Sequence, residues 1–105
     1  MTHEDFNKLL EDRLAKTRAV LAAKSQEYAT DGDKLHNFKR AGALQGIHPA
    51  KALIGMWAKH LVSVLDLADD VARGDVSRLG LLDEKIGDAV NYLILLEALM
   101  TEPKG

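Results

Sequence analysis

From Leu81 to Met100 the chain reads as one helix that is apolar on nearly every side. A rod of that kind cannot lie on a surface and must be surrounded by other elements. Its first turns carry Glu84, Asp88 and Asn91, spaced i, i+4, i+7, which share a single stripe. The stripe runs on into Leu95 and Ala98, so it is not a face that stays in water throughout. Two carboxylates one turn apart repel by roughly 0.2–0.5 kcal/mol on an exposed helix. The group is therefore either a short solvated patch that opens a core helix, or a pair placed to hold a cation.

Helical periodicity accounts for the rest of the chain. Thr2 as N-cap, with Glu4 and Asp5 behind it, predicts a first helix over His3–Tyr28. Its apolar stripe is Phe6, Leu9, Leu10, Leu14, Thr17, Val20 and Leu21; extended, it reaches Lys24 and Tyr28 with Glu27 alongside. The inward side thus turns polar at its carboxyl end, although a lysine can also snorkel from an apolar face. Thr30 to Asp33 is a break. Asp31 and Asp33 around Gly32 do not make a calcium loop, because the twelfth position is Gly42 where a bidentate glutamate belongs.

A short second helix is predicted over Lys34–Leu44, turning Leu35, Phe38 and Ala41 inward and ended by Gly46. His48 and Pro49 open a third, which Gly74 closes. Leu53, Trp57, Leu61, Val64, Ala68 and Val71 form its core face, opposite a stripe of Lys59, Ser63, Asp66 and Asp70 that reads as solvated. Residues 75–80 connect to the last helix. With no strand-like alternation, the expected fold is all-α: a small four-helix bundle of three long helices, each about 30–39 Å, and one short one. The helices are expected to pack antiparallel. A bundle this rod-like presents a long apolar flank, which predicts a homodimer or homotetramer through the third and fourth helices.

At 105 residues the chain is expected to be one domain spanning residues 1–105. A hydrophobic fraction of 47% and only two prolines argue against disorder. The net charge of −2 argues against duplex nucleic acid as a partner. It also disfavours DNA reading by a helix-turn-helix over residues 37–60. Without cysteine there is neither disulfide nor thiolate metal site, and the four histidines have no zinc spacing. No secretory leader and no run of about 18 uncharged apolar residues is present, so a cytoplasmic domain without a membrane span is expected. Gly42, Gly46 and Gly55 make no phosphate loop, and Ser63 has no flanking glycine to make a nucleophile elbow.

Three polar clusters interrupt the apolar helices: Lys24 with Glu27 and Tyr28; Lys59 with His60, Ser63 and Asp66; and Glu84 with Asp88, Asn91 and Tyr92. Antiparallel packing of the first helix on the fourth would gather Glu27, Glu84 and Asp88 at one point. Hard oxygen donors without sulfur suit Mg2+ or Mn2+. Lys24 and Lys59 would then face phosphate charge bridged by the ion, for attack of a metal-activated water on a phosphoanhydride.

Lys24, Glu27 and Tyr28, then Asp33, Asn37 and Phe38, then Lys59, His60 and Ser63, then residues 84–92 follow one another in an order that resembles a small phage-encoded family. That family is described as MazG-like or nucleotide-modification-associated, and it is similar to the all-α nucleoside triphosphate pyrophosphatases. The resemblance runs from about Lys24 to Leu99. It implies an oligomeric bundle, in a host cytoplasm if phage-encoded, that binds a nucleoside triphosphate through magnesium and cleaves it to monophosphate and pyrophosphate. On this resemblance Glu27, Glu84 and Asp88 act as catalytic metal ligands, Lys24 and Lys59 contact phosphates, and Asn37, His60, Asn91 and Tyr92 hold substrate. The superfamily pattern of glutamate-x-x-glutamate, then glutamate-x-x-aspartate, is altered. Lys24 stands where a glutamate is expected, and Lys85 lies three before Asp88. Three carboxylates remain of four, unless Asp33 or Asp66 supplies another. The alternative is a non-catalytic helical module that keeps the fold and binds a nucleotide or a protein.

Overall fold

Local signals set most of the helix boundaries in the computed structural model, which describes residues 1–22, 33 and 35–102 in full and residues 23–27 as backbone. Helix α1 spans His3–Glu27, α2 His36–Gln45, α3 Pro49–Ala72 and α4 Leu82–Thr101, the last preceded by a 3-10 turn over Leu79–Leu81. No strand occurs among the described residues. The chain is an all-α helical bundle, and none of its described helices is long and apolar enough to cross a membrane.

The caps explain the boundaries. Asp5 N–H donates to Thr2 Oγ1 at 3.0 Å and Thr2 N–H to Asp5 Oδ2 at 3.4 Å, a reciprocal box that satisfies orphan donors at the start of α1. His48 caps α3 by accepting the Ala50 N–H on Nδ1 at 3.0 Å, and Pro49 takes the first helical position. Helices α2 and α3 both end in a Schellman arrangement. Ile47 N–H donates to the Gly42 carbonyl and Gly46 N–H to that of Ala43; Asp75 N–H donates to the Asp70 carbonyl and Gly74 N–H to that of Val71. Gly46 and Gly74 sit at φ 68° and 79°, where a side chain would be strained. The α2 start falls at His36 rather than Lys34, because Asp33 Oδ1 first accepts the Leu35 N–H at 2.9 Å and holds a turn there.

Helices α2, α3 and α4 enclose the core. Leu53, with none of its surface exposed, packs with Leu35 and Leu99, and Phe38, Trp57, Tyr92, Leu95 and Leu96 close around them. Helices α3 and α4 are antiparallel: His60 faces Asp88, while the far ends meet across the 75–81 connection. Asp70 governs that connection. It was expected on a solvated stripe, but its side chain is only 3% exposed. Arg73 reaches its Oδ1 at 2.6 Å and Arg78 its Oδ2 at 2.7 Å. The reason is tertiary: once Gly74 turns the chain back, Arg78 folds over the end of α3, and the carboxylate is enclosed with two cations. Lys59 and Asp66, on the same stripe, are exposed as expected.

Helix α1 departs from expectation. It docks chiefly on α4 and runs in the same direction: Arg13 and Lys16 meet Asp83 at 2.6 and 3.1 Å, and farther along Leu21 and Ala22 share a cleft with Leu95 and Ala98. The Arg13 guanidinium lies over Gly87, where a Cβ would come within 2.9 Å of it. Because α1 meets essentially one helix, its expected core stripe stays open. Phe6, Leu9, Leu10, Leu14 and Val20 are all exposed, and only Thr17 of that stripe is buried.

Candidate functional site

A cleft of about 830 Å³ opens between α1, α2 and α4. Its walls are apolar: Leu14 and Leu21 from α1, Phe38 from α2, and Tyr92, Ile94 and Leu95 from α4. Into this apolar surface project Thr17 and Arg18 from α1, Asn37 from α2, Asp88 and Asn91 from α4, and Asp33 from the turn before α2. The size and the few convergent polar groups match small-molecule sites, which run to roughly 300–1,000 Å³.

The helices place these groups by their spacing. Asp88, Asn91, Leu95 and Ala98 follow the i, i+3, i+7, i+10 row of α4 that faces α1. Asn37 and Phe38 occupy the first turn of α2, aimed by the Asp33 turn and by Lys39. Lys39 Nζ donates to Asp33 Oδ2 at 2.6 Å and also to Glu102 Oε1, tying the start of α2 to the end of α4. The Lys39 ammonium, and then the Leu35 N–H, hold the Asp33 carboxyl below its ordinary range; Asp33 and Glu102 in turn raise Lys39. Asp83, outside the cleft, is lowered by hydrogen bonds from Lys16 and Arg13.

The aromatic side of the cleft is a chain of rings. Phe38 meets Tyr92 edge-on with centroids 6.5 Å apart, and Tyr92 lies 5.1 Å from the His60 imidazole. His60 Nδ1 is in turn 3.5 Å from Asp88 Oδ2. Two polar atoms of the lining are buried and lack a hydrogen-bond partner: Asn91 Oδ1, in a residue 5% exposed, and Thr17 Oγ1, in a residue 6% exposed. Such an atom costs about 1–3 kcal/mol unless a ligand or water supplies its partner.

Of the residues singled out in the sequence, the structure brings Asn37, Asp88, Asn91 and Tyr92 into one cleft, with His60 behind them. Glu84 is exposed in the first turn of α4 and Lys59 is exposed on α3; neither lines the cleft. The side chains of Lys24 and Glu27, and all of Tyr28, lie outside the described residues. The backbone of α1 still bears on the expected three-carboxylate cluster. Between Arg13, which meets Asp83, and Glu27, α1 rises by about 21 Å along an axis that runs with α4. The end of α1 therefore accompanies the later turns of α4, not the turn that carries Glu84. Among the described residues no group of three or more histidines and carboxylates is placed to hold a metal ion. Glu84 and Asp88 alone do not complete a magnesium site.

Thr17 and Arg18 were not anticipated. Periodicity assigned Thr17 to the apolar stripe of α1, and Arg18 sits beside that stripe. One signal was available: at i±3 and i±4 from Arg18 stand Leu14, Ala15, Leu21 and Ala22, so its own helix offers it no carboxylate.

Comparison with family models, with curated proteins and with solved structures finds nothing that matches this chain.

Proposed function

We propose that the protein binds a nucleoside triphosphate or a related nucleotide in the α1/α2/α4 cleft, as a nucleotide-binding bundle of the MazG-like type. The observation that carries this reading is the unpartnered, buried Asn91 Oδ1 of a residue that lines a largely apolar cleft. A nucleobase offers what such a wall lacks, namely a flat apolar face for Phe38 and Tyr92 and an N–H donor at its edge. A second reading makes the protein a magnesium-dependent pyrophosphohydrolase of nucleotide metabolism. In its favour, Asp88 lines the cleft with Glu84 one turn before it on α4. That reading requires donors beyond the ones that the described residues bring together.

One experiment addresses both readings. Thermal unfolding and pyrophosphate release are followed with a panel of ordinary and modified nucleoside triphosphates, with and without magnesium. Nucleotide at about 100 Kd should raise stability by about 2.7 kcal/mol. Asn91→Leu should abolish that increment while stabilising the unliganded protein by about 1 kcal/mol, because the stranded acceptor is gone. Stabilisation without pyrophosphate release retains binding and removes the hydrolase. No stabilisation by any member of the panel removes the nucleotide reading.

The bundle acts as a homo-oligomer, dimer or tetramer, in this proposal. Its accessible surface of 7644 Å² exceeds by about 1,800 Å² what a compact chain of this mass exposes. The radius of gyration, 16.2 Å, compares with about 13 Å for a compact domain of this length. Counted over two partners, an excess of that size falls in the range of about 2,000–5,000 Å² that obligate interfaces cover. Its apolar rows are Phe6, Leu9 and Leu10 on α1, and Ile54, Leu61 and Leu65 on α3. Light scattering at micromolar concentration should report more than one chain per particle, and Leu61→Lys combined with Leu65→Lys should return one. A wild type that is already monomeric under those conditions refutes the assembly.

A further inference from the structure

Arg18 is the one lysine or arginine among the described residues that line the cleft. It makes no ion pair among the described residues, whereas the neighbouring α1 cations Arg13 and Lys16 are both held by Asp83. Of the two carboxylates in the same lining, Asp33 is engaged by Lys39 and Asp88 faces His60. Next to Arg18 in the chain, Thr17 lines the same cleft and has a buried hydroxyl without a partner. A guanidinium with no counter-ion beside an unsatisfied hydroxyl is suited to an oxyanion, which accepts from both at once.

We infer that Thr17 and Arg18 form the anion-binding corner of this cleft and receive the phosphate chain of the ligand. The inference rests on the cleft reading above and assigns its polarity: the flat apolar part of the ligand lies on Phe38 and Tyr92, and its phosphates point to α1. Lys59, exposed on α3 and outside the cleft, is not required for phosphate contact. Arg18 is exposed and lines the cleft together with Leu14 and Leu21 of the same helix, so its charge is available at the cleft mouth.

The test is calorimetric titration of wild type, Arg18→Gln, Arg18→Lys and, as a surface control, Lys51→Gln. The titrants are a nucleoside triphosphate, the corresponding nucleoside and inorganic tripolyphosphate. Arg18→Gln should weaken the triphosphate and the tripolyphosphate roughly ten- to a hundredfold. It should leave nucleoside affinity and the melting curve unchanged. Arg18→Lys should fall between, since an ammonium keeps the charge and loses the fork. Thr17→Val should weaken triphosphate several-fold without lowering stability. Arg18→Gln binding triphosphate within twofold of wild type overturns the inference, as does a wild type that binds neither triphosphate nor tripolyphosphate. Nucleoside binding in that last case would leave the cleft reading standing and remove only the anion corner.

Discussion

Leu53→Ala should lower the stability of the protein by about 3 kcal/mol, within the range of about 2–5 kcal/mol for emptying a buried leucine site. Among the described residues Leu53 is the one large side chain with no exposed surface, and it is where α3 meets Leu35 before α2 and Leu99 of α4. The cavity left behind would be walled by side chains that already have other duties, so collapse into it is restricted. For a domain of this length such a loss is a large part of a total of about 5–15 kcal/mol. It corresponds to a fall in Tm of more than about 10 °C. Denaturant titration at fixed protein concentration should show the midpoint drop with an unchanged slope. Leu44→Ala, at a position 80% exposed, should stay within about 0.5 kcal/mol of wild type. A Leu53→Ala protein within 1 kcal/mol of wild type would mean that the core is not centred on α3. The same substitution has a functional consequence, because Phe38, Tyr92 and Leu95 pack against this cluster and also form the cleft wall. Nucleotide affinity should therefore fall along with stability.

What could be read from the sequence was what neighbours in sequence determine. Thr2, Gly46, His48 with Pro49, and Gly74 each fix a helix end through bonds to residues within a few positions, and those ends fall where expected. The four-helix content and the burial of Leu53 follow from periodicity, whereas Leu61, Ala68 and Val71 of the same expected core face are exposed. Asp70 was misjudged because its partner Arg78 is eight positions away across a turn, and helical phase places Asp70 beside Lys59 and Asp66 without indicating what folds over it. The direction of α1 was unreadable for the same kind of reason. An apolar stripe shows that a face will be covered, but not by which helix or which way it runs. The expected metal cluster depended on that direction and on the Glu27 side chain, which lies outside the described residues.

The cleft was half legible. Asp88, Asn91 and Tyr92 stand out as polar residues on an apolar rod, and the structure keeps Asn91 buried with an acceptor unused. Asn37 reaches the cleft only because α2 is set at an angle that no local pattern specifies. Thr17 and Arg18 face it only because α1 lies along α4. A stripe of sequence thus becomes a site when a second helix arrives opposite, and the arriving helix supplies the residues hardest to foresee.

The angle of α2 leads to the other large effect. Gly42 is buried where α2 turns into α3, and a Cβ there would lie 2.7 Å from the Ile47 carbonyl oxygen and 3.1 Å from Pro49 Cα and N. These are backbone atoms of the turn itself, which cannot rotate away as a side-chain tip would. Helix propensity alone says Gly42→Ala should gain about 1 kcal/mol. Overpacking costs about 1–3 kcal/mol, and displacement of the Ile47 N–H···O=C Gly42 bond adds about 1 kcal/mol. Strain therefore wins, and the expected outcome is a net loss of about 2 kcal/mol. Gly55→Ala supplies the opposite sign in the same protein: it lies inside α3, a Cβ there meets nothing within 4 Å, and it should gain about 0.5–1 kcal/mol. Denaturation of the two variants side by side decides the matter, since equal gains in both would show that α2 and α3 do not approach as described. Because α2 carries Asn37 and Phe38 to the cleft, Gly42→Ala should also weaken nucleotide binding, whereas a substitution that changed helix propensity alone would leave it intact.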